Sequence, residues 1–324
     1  MRSASPGAVI PWWRDRRLIP WLVQGALAVV LLVVVAFLVG NLVRNLTAAG
    51  LLLSWQWLGQ PAGFDVAEPL LPFDAGMPYW RGLLTGLVNT LRVVLLGLVG
   101  ATLLGTLAGS AAFSSNALLR ALARGYVELI RNIPLLLQLL FWYFVVFLAL
   151  PNGAQAIQLP GLVLAKSGLY LGRAALVDGV WQLQSGLRIT VEFAALLTGL
   201  VVFSGAFIAE VVRGGIAAVP AGQWEAARSL GLAPAQTMGR IVLPQALRVI
   251  VPGLNNQYIS LAKSSSLAVA CGYTDLYSVA ETTLNQTGRA VEVVLILLGS
   301  YLVIDLLISA VMNGVNRLVQ LQER

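Results

Sequence analysis

The chain has 324 residues, 58% of them hydrophobic and 11% charged, with a mean hydropathy of +0.82. A soluble domain carries about 25% charged residues, so this chain lacks the polar surface to face water all round and reads as an integral membrane protein. Histidine is absent and cysteine occurs once, at Cys271, which excludes a disulfide framework, a His/Cys metal site, a Ser-His or Cys-His triad and haem held by histidine. The net charge of +7 does not gather into a basic tract, so nucleic acid is not an expected partner. In a membrane protein such a surplus sets orientation.

A helix needs roughly 20 apolar residues to cross a hydrocarbon core ~30 Å thick. The first such stretch runs from Leu18 to Val39, preceded by Arg14, Arg16 and Arg17. A signal-peptide core is ~7–15 residues long, so this longer stretch reads as a retained anchor within 1–40; Ala48-Ala49 is the pair at which cleavage would otherwise fall. Residues 41–81 form a periplasmic segment rich in Pro, Trp and acid, with Asp65, Glu68 and Asp74.

Five more spans are expected over about 83–110, 125–150, 190–213, 246–270 and 290–313. The expected fold is therefore an all-α polytopic bundle of about six transmembrane helices. Its main domain runs over 82–316, with a periplasmic insertion of mixed polarity at about 151–189, a cytoplasmic loop at about 214–245 and a tail at 317–324. Placing the N-terminus inside puts 13 of the 21 Lys/Arg on the cytoplasmic side and six on the other, with Arg92 and Lys263 within spans. Both termini are thus expected in the cytoplasm. Trp12, Trp13, Trp55, Trp57 and Trp80 fall near predicted interfaces and read as belt residues.

In the second span Gly97, Ala101, Gly105 and Gly109 recur every four residues. Such a stripe lets another helix come close; it speaks for a packed bundle and says nothing of substrate.

The loop between the fourth and fifth spans does not look like a plain connector. Residues 223–230 hold good helix formers but are too few to span a membrane; Gly231 supplies a stop, and Pro234 suits the start of a second short helix. Such a helix either seats on a soluble partner or lies on the lipid. Glu225-Ala226-Ala227, three residues, Gly231, nine residues, Ile241, one residue and Leu243-Pro244 match the EAA signature at every fixed position. This resembles the membrane subunits of ABC importers, in which the loop is the coupling helix that docks on the ATPase.

The resemblance extends over about 80–315. Asn89-Thr90-Leu91, Tyr126 to Leu136 (YVELIRNIPLL) and Ala209 to Ile216 (AEVVRGGI) are similar to segments of the polar amino-acid uptake permeases. Lys263-Ser264-Ser265-Ser266-Leu267 stands where many members have Lys-Asp-Thr-Ser-Leu, so no cation-binding role is carried over for the missing acid. The Ser-Ser-Leu-Ala form, with Gly272 to Leu276 and Thr283 to Gly288, resembles the general L-amino-acid branch.

The resemblance implies a transport subunit of the bacterial inner membrane that is not itself an enzyme. Its implied partners are two copies of an ABC ATPase, a second and homologous permease, and a periplasmic amino-acid-binding protein. No nucleotide site is encoded here: Ala165 and Ala262 occupy the Gly position that a Walker A loop needs before its Lys. ATP and Mg²⁺ would reside on the partner ATPase, and alternating access would be driven through Glu225 to Gly231.

An amino-acid zwitterion needs fixed partners within the membrane, and Asn89 and Thr90 of the second span count among the substrate-path candidates. Glu210 and Arg213 share a helix face and read equally as a gate or as a salt bridge anchoring the loop. Asn255, Asn256, Lys263, Ser264, Ser265 and Ser266 punctuate the fifth span, and Pro252-Gly253 is expected to loosen its helix. These residues read as a cavity lining or as helix–helix hydrogen bonding. Asp305, deep in the last span, would pair with Arg92 or Lys263 or stay neutral. The rival classes are an ion-gradient-driven amino-acid carrier, which leaves the Glu225–Pro244 pattern unexplained, and an intramembrane hydrolase, for which no histidine base exists and only a Ser-Lys dyad involving Lys263 stays open.

Overall fold

The computed structural model describes residues 19–48, 50 and 53–320. Trp12, Trp13, the Arg14–Arg17 charges, Ala49 and residues 321–324 lie outside the described residues. The chain divides into two units, up to Ser54 and from Trp55 onward.

In the first unit α1 (Ile19–Ala48) is a single helix of 30 residues, about 45 Å long. It continues nine residues past the expected Val39 (48 − 39). Its apolar side chains are exposed along most of its length, as suits a helix bathed in lipid.

In the second unit α2 (Tyr79–Ala111) and α5 (Val191–Ala217) form the central seam. They run parallel: a Cβ built on Gly100 would meet Val201, one on Gly105 would meet Ile208, and one on Gly109 would meet the Ala209 carbonyl oxygen. The glycine stripe is thus a close-packing surface, and it faces inward. Leu95, Val99, Leu103 and Leu107 on the opposite face of α2 are each at least 60% exposed. Apolar patches of that extent mark lipid or subunit contact.

Parallel neighbours need a return path, and α3 (Ala117–Arg131) with α4 (Leu135–Leu140) supplies it. The expected straight span over 125–150 is instead broken, bending by 106° at Asn132–Pro134. Proline disfavours a helical conformation in the residue before it, and Gln138 Nε2 donates to the carbonyls of Ile130 (2.8 Å) and Ile133 (2.9 Å) freed at the break. A wide helical turn over Phe141–Phe147 completes the arm.

The insertion departs from the all-α expectation. It folds as a four-stranded antiparallel meander, β1 (Ile157–Leu159), β2 (Leu162–Ala165), β3 (Gly168–Val177) and β4 (Val180–Ile189). Every hairpin turn has two residues, and the Asp178-Gly179 turn places both residues at positive φ, 50° and 77°. Trp181 and Tyr170 anchor its small core, and Trp181 Nε1 donates to the Gly153 carbonyl at 2.8 Å.

Beyond α5, α6 (Ala221–Ser229) and α7 (Pro234–Thr237) form a loop, and α8 (Leu243–Ser264) returns antiparallel to α5. A 3₁₀ stretch (Ser265–Cys271), α9 (Leu276–Thr287) and α10 (Ala290–Gln320) follow. The expected loosening at Pro252-Gly253 does not occur. The helix runs through Pro252, and Gly253 is where Val211 of α5 approaches, so the break falls at Ser265 instead.

Among the described residues four helices are long and apolar enough to cross a membrane, or five if the bent pair counts as one span. The polar α8 does not qualify by composition. Residues 55–78 form a strap packed through Trp57, Ala62 and Val66 on α2 and α9. Trp57 is therefore core rather than a belt residue, whereas Trp55 and Trp80 are half-exposed.

Gly105→Leu should force α2 and α5 apart, costing at least ~1–3 kcal/mol for overpacking. A thermal melt of the detergent-purified chain should show a clear drop or no folded protein. Gly299→Ala, with nothing within 4 Å, should leave the melt unchanged or slightly raised.

Candidate functional site

The polar features gather at the two ends of the bundle. One end carries the loop 218–242; the other carries the sheet and the strap.

At the loop end α5 stops at Ala217, and Pro220 caps α6. Gly231 ends α6 at φ +73°, its N–H donating to the Arg228 carbonyl (2.9 Å), while Leu232 N–H donates to the Ala227 carbonyl (3.1 Å). This pairing satisfies two carbonyls that a helix end would leave bare, and it requires a left-handed residue at Gly231. No atom lies within 4 Å of a Cβ placed there, so the requirement is one of backbone alone. Ala227 is fully buried, whereas Glu225, Ala226 and Leu230 are exposed, Leu230 at 77%. Ile241 lies in a wide turn over Met238–Val242. That turn precedes Leu243-Pro244 and accommodates a proline that lacks an N–H and would crowd the carbonyl four residues back.

At the same end of the bundle α2, α3 and α5 line an open cavity of about 730 Å³, with Arg124, Glu128, Arg131, Glu210 and Arg213 among its walls. Arg213 embraces the Glu210 carboxylate, with Nε donating to Oε2 at 3.1 Å, and Arg131 approaches the same carboxylate to 3.9 Å. Arg131 also lies over the Phe207 ring, 5.2 Å from its centroid. Glu210 is thus held between two cations, in the i, i+3 pairing that the sequence allowed.

At the other end Asn89 and Thr90 clamp α2 to the start of α9 and the turn that leads into it. Asn89 Nδ2 donates to the Thr274 carbonyl (2.9 Å), and Thr90 Oγ1 accepts from Leu276 N–H (3.0 Å). Both residues are fully buried. Asp275 caps α9 by accepting from Ser278 N–H at 2.9 Å, and Tyr301 also donates to it at 3.5 Å. Asp275 lies in the connection outside the spanning helices, and burial pushes its carboxyl up to about 6.

Of the fifth-span residues, Ser265 is buried and donates to the Ala262 carbonyl (2.7 Å), while Ser266 donates to the Lys263 carbonyl (2.8 Å). Both hydroxyls therefore bond back to carbonyls of α8. Asn256 is exposed, Ser264 is half-buried, and Asn255 Oδ1 is buried with no hydrogen-bond partner. None of these residues lines the cavity beside Glu210. Lys263 Nζ pairs with Asp305 at 3.3 Å, which assigns Asp305 its cation. Arg92 pairs instead with Glu68, at 3.4 Å. In the sequence that pair is signalled only by an arginine inside a span and an acid in the strap.

An apolar exterior, a seam of backbone contact and an exposed helical loop define a multi-pass integral membrane protein of transporter architecture. The chain belongs to the family of binding-protein-dependent transport system inner membrane components, whose sequence profile matches residues 101–320. It is 37% identical over 372 aligned positions to a putative amino-acid ABC transporter permease protein of Escherichia coli (strain K12), covering 94% of this chain and 95% of that one. It is 35% identical to the general L-amino acid transport system permease protein AapQ of Rhizobium johnstonii, covering 88% and 87% respectively. Among solved structures, an amino acid ABC transporter crystallised with histidines superposes with a TM-score of 0.56 at 30% identity, covering 74% of this chain and 94% of that one. A methionine ABC transporter at 19% identity and a TM-score of 0.53 shares the fold.

Because burial raises the Asp275 pKa in the folded chain above the ~3.9 of an unfolded aspartate, this group favours folding most in acid. That contribution falls as pH rises from about 4 to about 6. Asp275→Asn keeps the cap acceptor and removes the titration. Its melting temperature should exceed the wild type's by several degrees at pH 7.5 and by less at pH 5.

Proposed function

We propose that the chain is the permease subunit of an ATP-driven ABC importer that carries L-amino acids, over a broad range, from a periplasmic binding protein into the cytoplasm. The observation that carries this reading is the loop between α5 and α8. It matches the ABC importer signature position by position, and it exposes a short helix ended by a left-handed Gly231. The amino-acid cargo is supported by the two relatives and by the structural neighbour at 30% identity. The neighbours are ABC transporters, so the ion-gradient carrier has nothing in its favour.

In this reading the chain sits in the bacterial inner membrane with both termini in the cytoplasm. The crossings number six, with α8 and its 3₁₀ continuation counted as one that neighbouring helices shield. Two ATPase chains hold ATP and Mg²⁺, and a homologous second permease completes the path. Closure of the ATPases pulls the α6 helices together and opens the outer end; hydrolysis resets it. Glu225, Ala226 and Leu230 form the docking face, Trp224 packs against the bundle core, and Gly231 sets the turn. Ile241, Leu243 and Pro244 carry the motion into α8.

Two measurements test this. Purification of a tagged chain from its native membrane should bring down an ATPase and a second permease; an ATPase alone would make the pair a homodimer, and no ATPase would refute the importer. In reconstituted vesicles, Gly231→Val should cut amino-acid uptake about tenfold or more, since a β-branched residue resists positive φ. Gly231→Asn, tolerant of the left-handed region, should retain most of it. Equal uptake by Gly231→Val and wild type would remove the coupling role.

A further inference from the structure

Arg92 lies 13 residues into α2 (92 − 79), level with the first turn of α5. Its guanidinium is stacked on the Phe193 ring, 3.9 Å from the centroid, and Nη1 is 3.4 Å from Glu68 Oε2. The other Glu68 oxygen accepts the backbone N–H of Thr190 at 2.8 Å. Thr190 is the cap of α5, where backbone amides and the helix dipole favour an anion. The bundle thus contributes the donors, a stacked guanidinium and a helix-terminal amide, and the strap contributes the carboxylate.

This is not an ordinary surface ion pair. The two side chains are only 16% and 18% exposed. Glu68 is held at φ +51°, and Asp178 is the only other non-glycine residue at positive φ among the described residues. Such a conformation is disfavoured for a residue with a Cβ, so the carboxylate reaches its partners against a local backbone preference. One turn before Arg92, on the same face, Asn89 is fully buried and its Oδ1 has no hydrogen-bond partner. A free acceptor therefore stands near a carboxylate-binding fork.

We infer that Arg92 and the Thr190 amide form the receiving site for the α-carboxylate of the transported amino acid, and that Glu68 occupies it as an internal stand-in until substrate displaces it. This assignment deepens the proposed function and rests on it. Exchange of one carboxylate for another never leaves Arg92 buried without a counter-charge, the condition that would cost most. Stacking on Phe193 fixes the guanidinium plane, and a guanidinium so held suits a planar, bidentate carboxylate along its edge. A site that reads the α-carboxylate and not the side chain accepts many amino acids. Displacement also frees Glu68 from its strained backbone, so entry of substrate and release of the strap become one event.

The assembled transporter, without its binding protein, would be held in nanodiscs with a mixture of radiolabelled proteinogenic L-amino acids, and retained label measured. Glu68→Gln should tighten retention and Arg92→Ala should abolish it, with Arg92→Lys in between. Each change should be about tenfold or more, the worth of a charge-assisted hydrogen bond. L-Amino-acid amides, which lack the carboxylate, should compete poorly. Melting curves of each variant accompany the binding data, and Glu68→Gly, which relieves the left-handed backbone, replaces Glu68→Gln if that variant does not assemble. Loss of retention in both Glu68→Gln and Arg92→Ala, with matching losses of stability, would make the pair a mere staple and overturn the assignment. Unchanged retention in Arg92→Ala would overturn it as well. Wild-type transporter that neither retains nor transports any labelled amino acid would instead refute the proposed function itself.

Discussion

The close approach of α2 to α5 sets the geometry of everything else in the larger unit. Lipid tails are as apolar as leucine, so no hydrophobic force draws two such helices together, and contact between their surfaces must hold them. Gly100, Gly105 and Gly109 give that contact at the level of the backbone, where a Cβ would strike Val201, Ile208 and the Ala209 carbonyl. The register that results is fixed along the whole seam. It brings Arg92 over Phe193 at one end and places Gly109 in the same cavity wall as Glu210 at the other. Both polar sites are therefore consequences of one apolar interface.

The parallel direction of that pair has a topological cost, because the chain must travel back before α5 can begin. The bent α3–α4 arm and the sheet occupy this return. The length of the return is legible in the sequence, but its form is not. A proline after Asn132 and Ile133 announced the bend, yet the apolar run from Leu135 onward reads as a continuation because composition does not record direction. The sheet was equally accessible: Asp178-Gly179 between Leu-Tyr-Leu with Leu-Val on one side and Val-Trp with two further Leu on the other is a strong hairpin signal. Membrane-scale hydropathy, averaged over some twenty residues, erases a period of two.

The spans over 83–110, 190–213 and 290–313 were legible because length and apolarity alone decide them, and the helices run over Tyr79–Ala111, Val191–Ala217 and Ala290–Gln320. Polar residues within spans were legible as unusual but not as partners. Lys263 and Asp305 are 42 residues apart (305 − 263), and Glu68 and Arg92 are 24 apart. Nothing in spacing states which cation meets which acid. Pro252-Gly253 illustrates the limit from the other side. Its composition suggests a break, but Val211 fills the space that Gly253 leaves, and packing keeps the helix whole.

The loop signature separates into two kinds of position once the structure is known. Ala227 is small because it is fully buried where α6 packs against the wide turn before α8, and Gly231 is glycine because the chain turns left-handed. Those two positions are explained by folding alone. Glu225 and Ala226 are not: they are exposed, as is Leu230 beside them, at 77%. A large apolar side chain held out on a helix that the fold has capped and seated gains nothing from this chain. Its rationale lies in a surface outside the chain, so the positions that folding leaves unexplained are those that point to a partner.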